Sequence, residues 1–362
     1  MTHSPLPQAT FDCEVLTPLF LAGTQNTAEL RGASIRGALR YWYRALLGGR
    51  GVSDINTLHA REAAVFGSTD RASPVRLRLL PYEGTSPAPT SQLDAFNSSR
   101  GDRNGTAYLW HFADASDRQY LPPETRFELQ LLGRPGATEA LADAIRAFWL
   151  LIHLGGLGTR SRRMAGAVAV SHANLPSSLD GLSFDADRPY DDWFTEQLAR
   201  LGIGDAPIGP DRPAFSLLHP RHADVWRLQV RNADWSRLVN TIGTKFKNHR
   251  EDLDIPDKIG LGLPIVTPKD TPDIAVTKGG TPVERRASPL WLQAVPGPDG
   301  NEVGAVATVM RSRFVDGSGP LRVSWDGGDT PVNDPYAKLG TFVRDSDLAP
   351  TPLLPDREHA RS

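Results

Sequence analysis

The sequence predicts an α+β chain made of two ferredoxin-like (RRM-like) units with antiparallel sheets and inserted loops. Three observations lead there. Strand-like alternation and helical periodicity succeed one another in the first half as strand, helix, strand, strand, helix, strand, the split βαβ order. A second, degraded run of strand, helix, strand, strand begins near residue 223. A length of 362 residues exceeds one small domain, so two are expected.

Phe11 to Phe20 reads as the first strand, ending at the turn Leu21-Ala22-Gly23. Most of Leu30 to Ser53 (LRGASIRGALRYWYRALLGGRGVS) reads as one helix, with Ile35, Leu39, Trp42 and Leu46 as its apolar stripe. Ser34 is the expected N-cap and Gly48-Gly49 the expected stop. Val75 to Leu80 alternates as a half-exposed strand does, and Arg126 to Leu132 does the same. Between them, residues 82–122 form a long polar segment, of the kind that is functional or disordered. Thr138 to Leu154 is a helix that buries Leu141, Ile145, Phe148 and Ile152, and Ala165 to Val170 is a short strand. Residues 174–222 read as a Pro- and Gly-rich connector with one helix near Asp191 to Leu201. Val225 to Val230, Leu290 to Val295 and Val303 to Val309 are strands, and Trp235 to Phe246 a helix. From Asp316 the chain reads as loop-rich. The expected division is therefore 1–173, a connector 174–222, and 223–362.

Composition narrows the function. A net charge of -2 excludes a chain that is basic all over, so nucleic acid would have to meet a local patch. Cys13 is the single cysteine, which excludes an intramolecular disulfide and a cysteine zinc site and fits a reducing cytoplasm. The first residues, MTHSPLPQATFDCEV, lack the basic start and apolar run of a signal peptide. The run AFWLLIHLGGLG is too short to span a membrane.

Between Leu30 and Ser53 stand five arginines and no acid. Arg36, Arg40 and Arg44 recur at i, i+4 and i+8, with Tyr43 beside them, so they share a stripe. Like charges on one face call for an anionic partner such as phosphate, or else are a solvated surface. Leu154 to Gly166, LGGLGTRSRRMAG, joins a helix to a strand and combines four glycines with Arg160, Arg162 and Arg163. Glycines let a backbone approach a ligand and expose its amides, which suits a phosphodiester chain; an ordinary glycine-rich helix end is the plain reading. The Walker pattern is absent, and the strand and helix stand in the wrong order for a dinucleotide fingerprint. Arg237, Lys245, Lys247 and Arg250 surround Phe246 and His249, either a basic patch with rings for bases or a helix end complementing its own dipole. Arg285 and Arg286 precede a strand.

Catalytic signals are few. The nine histidines form no HxH or HExxH pair, and His219 and His222 lack a third metal ligand nearby. Asp94, Asp102, Asp114 and Asp117 lie in the long polar segment, where an aspartate can act on RNA or merely be solvated.

Leu16 to Phe20, Gly23, Glu29 to Arg31 and Ser34 to Arg44 resemble the N-terminal signature of the RAMP superfamily of CRISPR proteins. Within it they are most like the first subunits of type III-B (Cmr) effectors. Ala22 departs from the pattern, which favours glycine. Gly156-Leu157-Gly158 and Gly166 fit the glycine loop of the same family, with Met164 where glycine is usual, and Arg286 to Leu290 resembles its C-terminal element.

The resemblance implies two ferredoxin-like units at one end of a helical ribonucleoprotein. There the chain would contact the 3′ part of the guide RNA (crRNA), the guide–target duplex and other Cmr or RAMP subunits. It implies binding rather than cutting, with no catalytic residue, metal or cofactor. Arg31, Arg36, Arg40 and Arg44 would contact phosphates, while Trp42 packs in the core. Arg160, Arg162 and Arg163 would clamp the RNA backbone with the amides around Gly156 and Gly158; Lys245, Lys247 and Arg286 are further contacts. Two alternatives stand beside this. One is an endoribonuclease of the same superfamily, with His59, His111 or Asp102 as its base. The other is a structural cap that touches only protein neighbours.

Overall fold

The computed structural model describes residues 6–21, 23, 27–82, 86–93, 104–111, 118–265, 274–297, 303–344 and 348–354. Its first half runs β1 (Gln8–Val15), α1 (Gly32–Gly49), α2 (Ile55–Phe66), β2 (Val75–Pro81), β3 (Ala88–Pro89), α3 (Gly105–Leu109), β4 (Gln119–Tyr120), β5 (Arg126–Gly133), α4 (Thr138–Leu154) and β6 (Val168–Asn174). Strands pair antiparallel in the order β2-β5-β1-β6, the ferredoxin-like order. Alternation sets the register: Ala9, Phe11, Cys13 and Val15 face the helices, while Thr10, Asp12 and Glu14 face outward.

The second half runs α5 (Tyr190–Arg200), β7 (Ala223–Leu228), α6 (Trp235–Asp252), α7 (Ile255–Lys258), β8 (Ala275–Lys278), β9 (Thr281–Pro282), β10 (Leu290–Pro296), β11 (Val303–Met310), β12 (Leu321–Trp325), β13 (Gly328–Pro331), α8 (Thr341–Arg344) and β14 (Thr351–Pro352). Its main sheet has the order β10-β11-β7-β14, which repeats the connectivity of the first. The degeneration lies in the second crossover, whose helix is reduced to the single turn α8. A further sheet, β13-β12-β8-β9, is added outside this plan.

The layers explain a sequence feature. Residues Ala147 to Leu154 of α4 are buried on every side, not on one stripe. One side of α4 meets the first sheet; its opposite side meets β10 and β11 through Trp291, Val295, Val306 and Met310. Alternate residues of those strands, Leu292, Ala294, Ala305 and Ala307, face the core around α6. The second sheet is thus covered on both faces, and β10 and β11 are apolar almost throughout. Residues 174–222 are more than a tether: Trp193 and Phe194 of α5 pack on Trp149 of α4.

Several expectations are corrected. The first strand stops at Val15. α1 starts a turn earlier than Ser34, with Arg31 at the N-cap position. Gly48 and Gly49 do not stop it; they lie inside its last turn because Leu217 and Leu218 cross there, and a Cβ on Gly49 would sit 2.1 Å from the Leu218 carbonyl oxygen. The helix ends at Arg50, before Gly51 with φ +90°. α2 was not foreseen, and α6 continues past Phe246 to Asp252. Within 82–122, β3 pairs with β4 and α3 docks on α6, where the Gly105 amide donates to the Asn240 side chain at 2.9 Å. The loop-rich reading from Asp316 yields to the β12/β13 hairpin, which pairs with the β8/β9 hairpin, also unforeseen.

Candidate nucleic-acid interface

An RRM reads RNA on aromatic rings of its open sheet face. The first sheet lacks that platform. The only Phe, Tyr or Trp residues in its strands are Phe11 and Phe127, both turned to the helices and buried. Tyr82, just past β2, ties its hydroxyl to Asp12 at 2.7 Å.

The arginine stripe of α1 divides. Arg40 and Arg44 are held inward by Glu62 of α2, each at 2.5 Å, one on either carboxylate oxygen. Arg40 also donates to the carbonyls of Phe66 and Gly67, which end α2. The expected face of uncompensated arginines is therefore corrected: the balancing acid lies on the next helix. Arg31 and Arg36 form no ion pair with a described residue, and both reach solvent. Trp42 is fully buried, as its place on the apolar stripe requires.

The glycine loop is built on backbone turns with positive φ. Gly158, Arg160, Met164 and Gly166 have φ of +76°, +62°, +65° and +67°. Met164 thus holds the left-handed conformation of the glycine it replaces, with its side chain fully buried. Thr17 fixes this turn: its hydroxyl donates to the Met164 carbonyl at 2.6 Å and accepts from the Ala167 amide at 2.9 Å. The Met164 amide donates to the Leu292 carbonyl, so the loop extends the β10 edge of the second sheet.

The three loop arginines take different directions. Arg160 reaches His111, with Nη2 3.2 Å from Nδ1. Arg162 lies over Trp291, its guanidinium carbon 4.4 Å from the ring centroid, and 5.4 Å from that of Tyr41; it donates to the Ser288 carbonyl. Burial against these rings disfavours its charged form. Arg163 turns into the body, bonds the Leu290 carbonyl at 2.8 Å and lies 4.9 Å from the Phe246 ring. Burial, then the neighbouring Arg162 and Arg160, oppose its charge. The expected three-arginine clamp is corrected for Arg163, whose guanidinium serves the core.

What these elements enclose is a cleft of about 520 Å³. Ser34, Ala38 and Tyr41 of α1 form one wall, Gly156, Gly158, Thr159, Ser161 and Arg162 of the loop another, and Trp291 lies at its base. The two strongest sequence features therefore meet in space. Tyr41 and Trp291 were missed: they stand 250 residues apart, linked by a 3.3 Å hydrogen bond from the indole to the phenol. Only the aromatic triplet Tyr41-Trp42-Tyr43 hinted at them.

The weaker candidates lie elsewhere. Arg286 is turned inward onto Tyr336 and Ser312, with its guanidinium carbon 4.8 Å from the Phe314 ring. Lys245 and Lys247 are half-buried on α6, and Arg250 there donates to the Tyr108 hydroxyl at 3.1 Å. His219 and His222 bond the Ala206 and Gly209 carbonyls, respectively, and among the described residues no cluster could hold a metal. His59 is exposed on α2. Asp94, Asp102, Asp114, Asp117 and Ala22 lie outside the described residues.

Residues 12–169 match the model of the RAMP superfamily. The chain is 30% identical over 179 residues to CRISPR system Cmr subunit Cmr1-2 of Pyrococcus furiosus, covering 95% of that protein and 45% of this one. The chain belongs to the RAMP superfamily. Its likeness to Cmr subunit Cmr1-1 of the same organism runs at 26% identity over 300 residues, 79% of this chain and 82% of that one. Among solved structures, apo Cmr1 from Pyrococcus furiosus matches with a TM-score of 0.66 at 22% identity, covering 96% of this chain and 99% of that one. A chain of the type III-B Cmr-beta complex, solved by cryo-EM bound to cognate target RNA, matches with a TM-score of 0.57 at 12% identity over 92% of this chain and 98% of that one. This RAMP protein is homologous to Cmr1, and the structural matches show that the shared fold extends across both sheets. No helix among the described residues is long and apolar enough to cross a membrane.

Proposed function

We propose that this RAMP protein is an RNA-contacting, non-cleaving subunit of a cytoplasmic type III-B CRISPR effector. Its partners would be the 3′ part of the crRNA, the target RNA and neighbouring Cmr subunits. The observation that carries the reading is the cleft between α1 and the glycine loop. It offers a guanidinium and two rings beside loop amides, and those of Gly158, Ser161 and Arg162 donate to no described acceptor. Arg36 and Arg31 lie on the same helix as its first wall. Homology to Cmr1 and the RNA-bound Cmr-beta match support the same assignment.

The test is a salt titration of labelled single-stranded RNA with the purified chain, with denaturing gels on the same samples. Intact RNA and binding that weakens steeply with salt are expected. Absence of binding at low salt would overturn the reading in favour of a structural cap.

One observation favours the cleaving alternative. His111 stands against Arg160, a base beside a cation that can stabilise a phosphorane. Metal-independent cleavage that is lost on His111→Ala would establish that reading instead.

A further inference from the structure

A second cleft, of about 460 Å³, lies on the added sheet, and none of the residues that line it borders the first. Two glycine turns build it. The β8–β9 turn crosses the loop of residues 315–319 so closely that a Cβ on Gly279 would stand 2.3 Å from the Ser318 carbonyl oxygen. The Gly279 amide donates to the Pro320 carbonyl at 3.0 Å, so the two loops are fixed on each other before anything binds. Val283 and Val315, both half-buried, supply an apolar lining. Lys278 is also half-buried, and its Cγ lies 3.9 Å from where a Cβ on Gly317 would stand. Glu284 and Arg285 are exposed. Asp316 is held by Arg313 at 3.1 Å, whereas Lys278, Glu284 and Arg285 form no ion pair with a described residue. The Gly317 and Ser318 amides donate to no described acceptor.

We propose that this cleft binds a short extended segment of a partner protein. A Glu or Asp side chain of the segment meets Lys278, Arg285 and the two loop amides, and an aliphatic neighbour lies against Val283 and Val315. Charge-assisted hydrogen bonds from an ammonium and a guanidinium favour a carboxylate there. RNA fits less well. No aromatic ring lines the cleft to stack a base, and Glu284 and Asp316 repel a chain that is charged at every residue. A peptide carries isolated charges, and its own amides can donate to Glu284. Pro282 blunts the free edge of β9, so side chains and loop amides make the contact rather than an added strand.

The probe is a fluorescein-labelled hexapeptide of alternating valine and glutamate, followed by anisotropy with the full chain. Saturable binding is expected, and the same peptide with glutamine for glutamate should bind about tenfold more weakly. Lys278→Glu and Arg285→Glu should each weaken binding of the acidic peptide by about tenfold. Urea denaturation checks that both variants fold as the parent does. Exchange of signs is the sharper arm: the double variant should bind a valine–lysine hexapeptide that the parent refuses. Oligouridylate should not displace the acidic peptide. Absence of saturable binding, or binding unchanged in both single variants, overturns the proposal. Displacement by oligouridylate that depends on Lys278 and Arg285 overturns it in favour of an RNA groove.

Discussion

Arg40 and Glu62 bind helix α1 to helix α2, the guanidinium meeting the carboxylate at 2.5 Å and two terminal carbonyls of α2 at 2.9 and 2.7 Å. Glu62 is almost buried, with 8% of its side chain exposed, and it also carries Arg44. Removing the acid leaves two cations facing each other over a half-dry contact. Glu62→Gln should cost about 2 kcal/mol, read by urea denaturation. Arg40→Glu should lower stability at least as much, so a loss of RNA capture in that variant would say nothing about contact with RNA.

Arg36 and Arg31 give the cleaner electrostatic test. Arg36→Glu should leave the unfolding free energy from urea denaturation within about 0.5 kcal/mol of the parent. It should still weaken RNA binding and reduce the slope of log affinity against log salt by about one, if one phosphate contact is lost. An unchanged slope would remove this helix from the interface.

His153 sets an acid limit on the fold. It is fully buried among Trp149, Trp193 and Phe194, and neither ring nitrogen has a hydrogen-bond partner among the described residues. Burial lowers its pKa from 6.5 to about 3. Between those values the unfolded chain binds a proton that the folded chain refuses. The stability this site confers is complete above pH 6.5 and is lost as pH falls toward 3, by up to about 1.4 kcal/mol per pH unit. His153→Phe should flatten that decline when unfolding is followed from pH 7 to pH 4.

The glycine loop separates strain from space. Met164→Gly relieves a left-handed residue, worth about 1 kcal/mol, but empties a buried side chain worth about 2–5 kcal/mol, so net destabilisation is expected. Gly166→Ala fails for another reason: its Cβ would stand 2.0 Å from the Leu157 carbonyl oxygen. Roughly 3 kcal/mol of stability should go with it, together with RNA binding. Thermal unfolding of the two variants side by side checks the order.

Long, strongly patterned elements were legible. α4 is found end to end, because its apolar run is stopped by Gly155-Gly156, and β2 and β5 follow from alternation, whereas β1 and β6 are displaced by several residues from Phe11 to Phe20 and Ala165 to Val170. α2 was not, since only Leu58, Glu62, Val65 and Phe66 are buried and its pattern is faint. Its signal was Asp54, whose side chain caps the helix by accepting from the Thr57 amide at 2.7 Å. The C-terminal sheet was missed although both hairpins carry two-residue turn signals, Gly279-Gly280 and Asp326-Gly327. Strands of two to five residues are too short for periodicity to register. The arginines were visible as a group, but their destinations were not. Whether each meets phosphate, Glu62, a carbonyl or a ring depends on contacts between distant parts of the chain, such as Arg162 with Trp291.

Because α4 is clothed by a different sheet on each side, the molecule has no clean seam. A fragment ending after β6 would bare the flank of α4 that β10 and β11 cover, an oily strip next to the loop that forms the cleft. Such a fragment would seek another surface to hide that strip, whether a copy of itself or the missing half supplied in trans. The glycine loop, which begins where α4 ends, would be the first part to lose its shape.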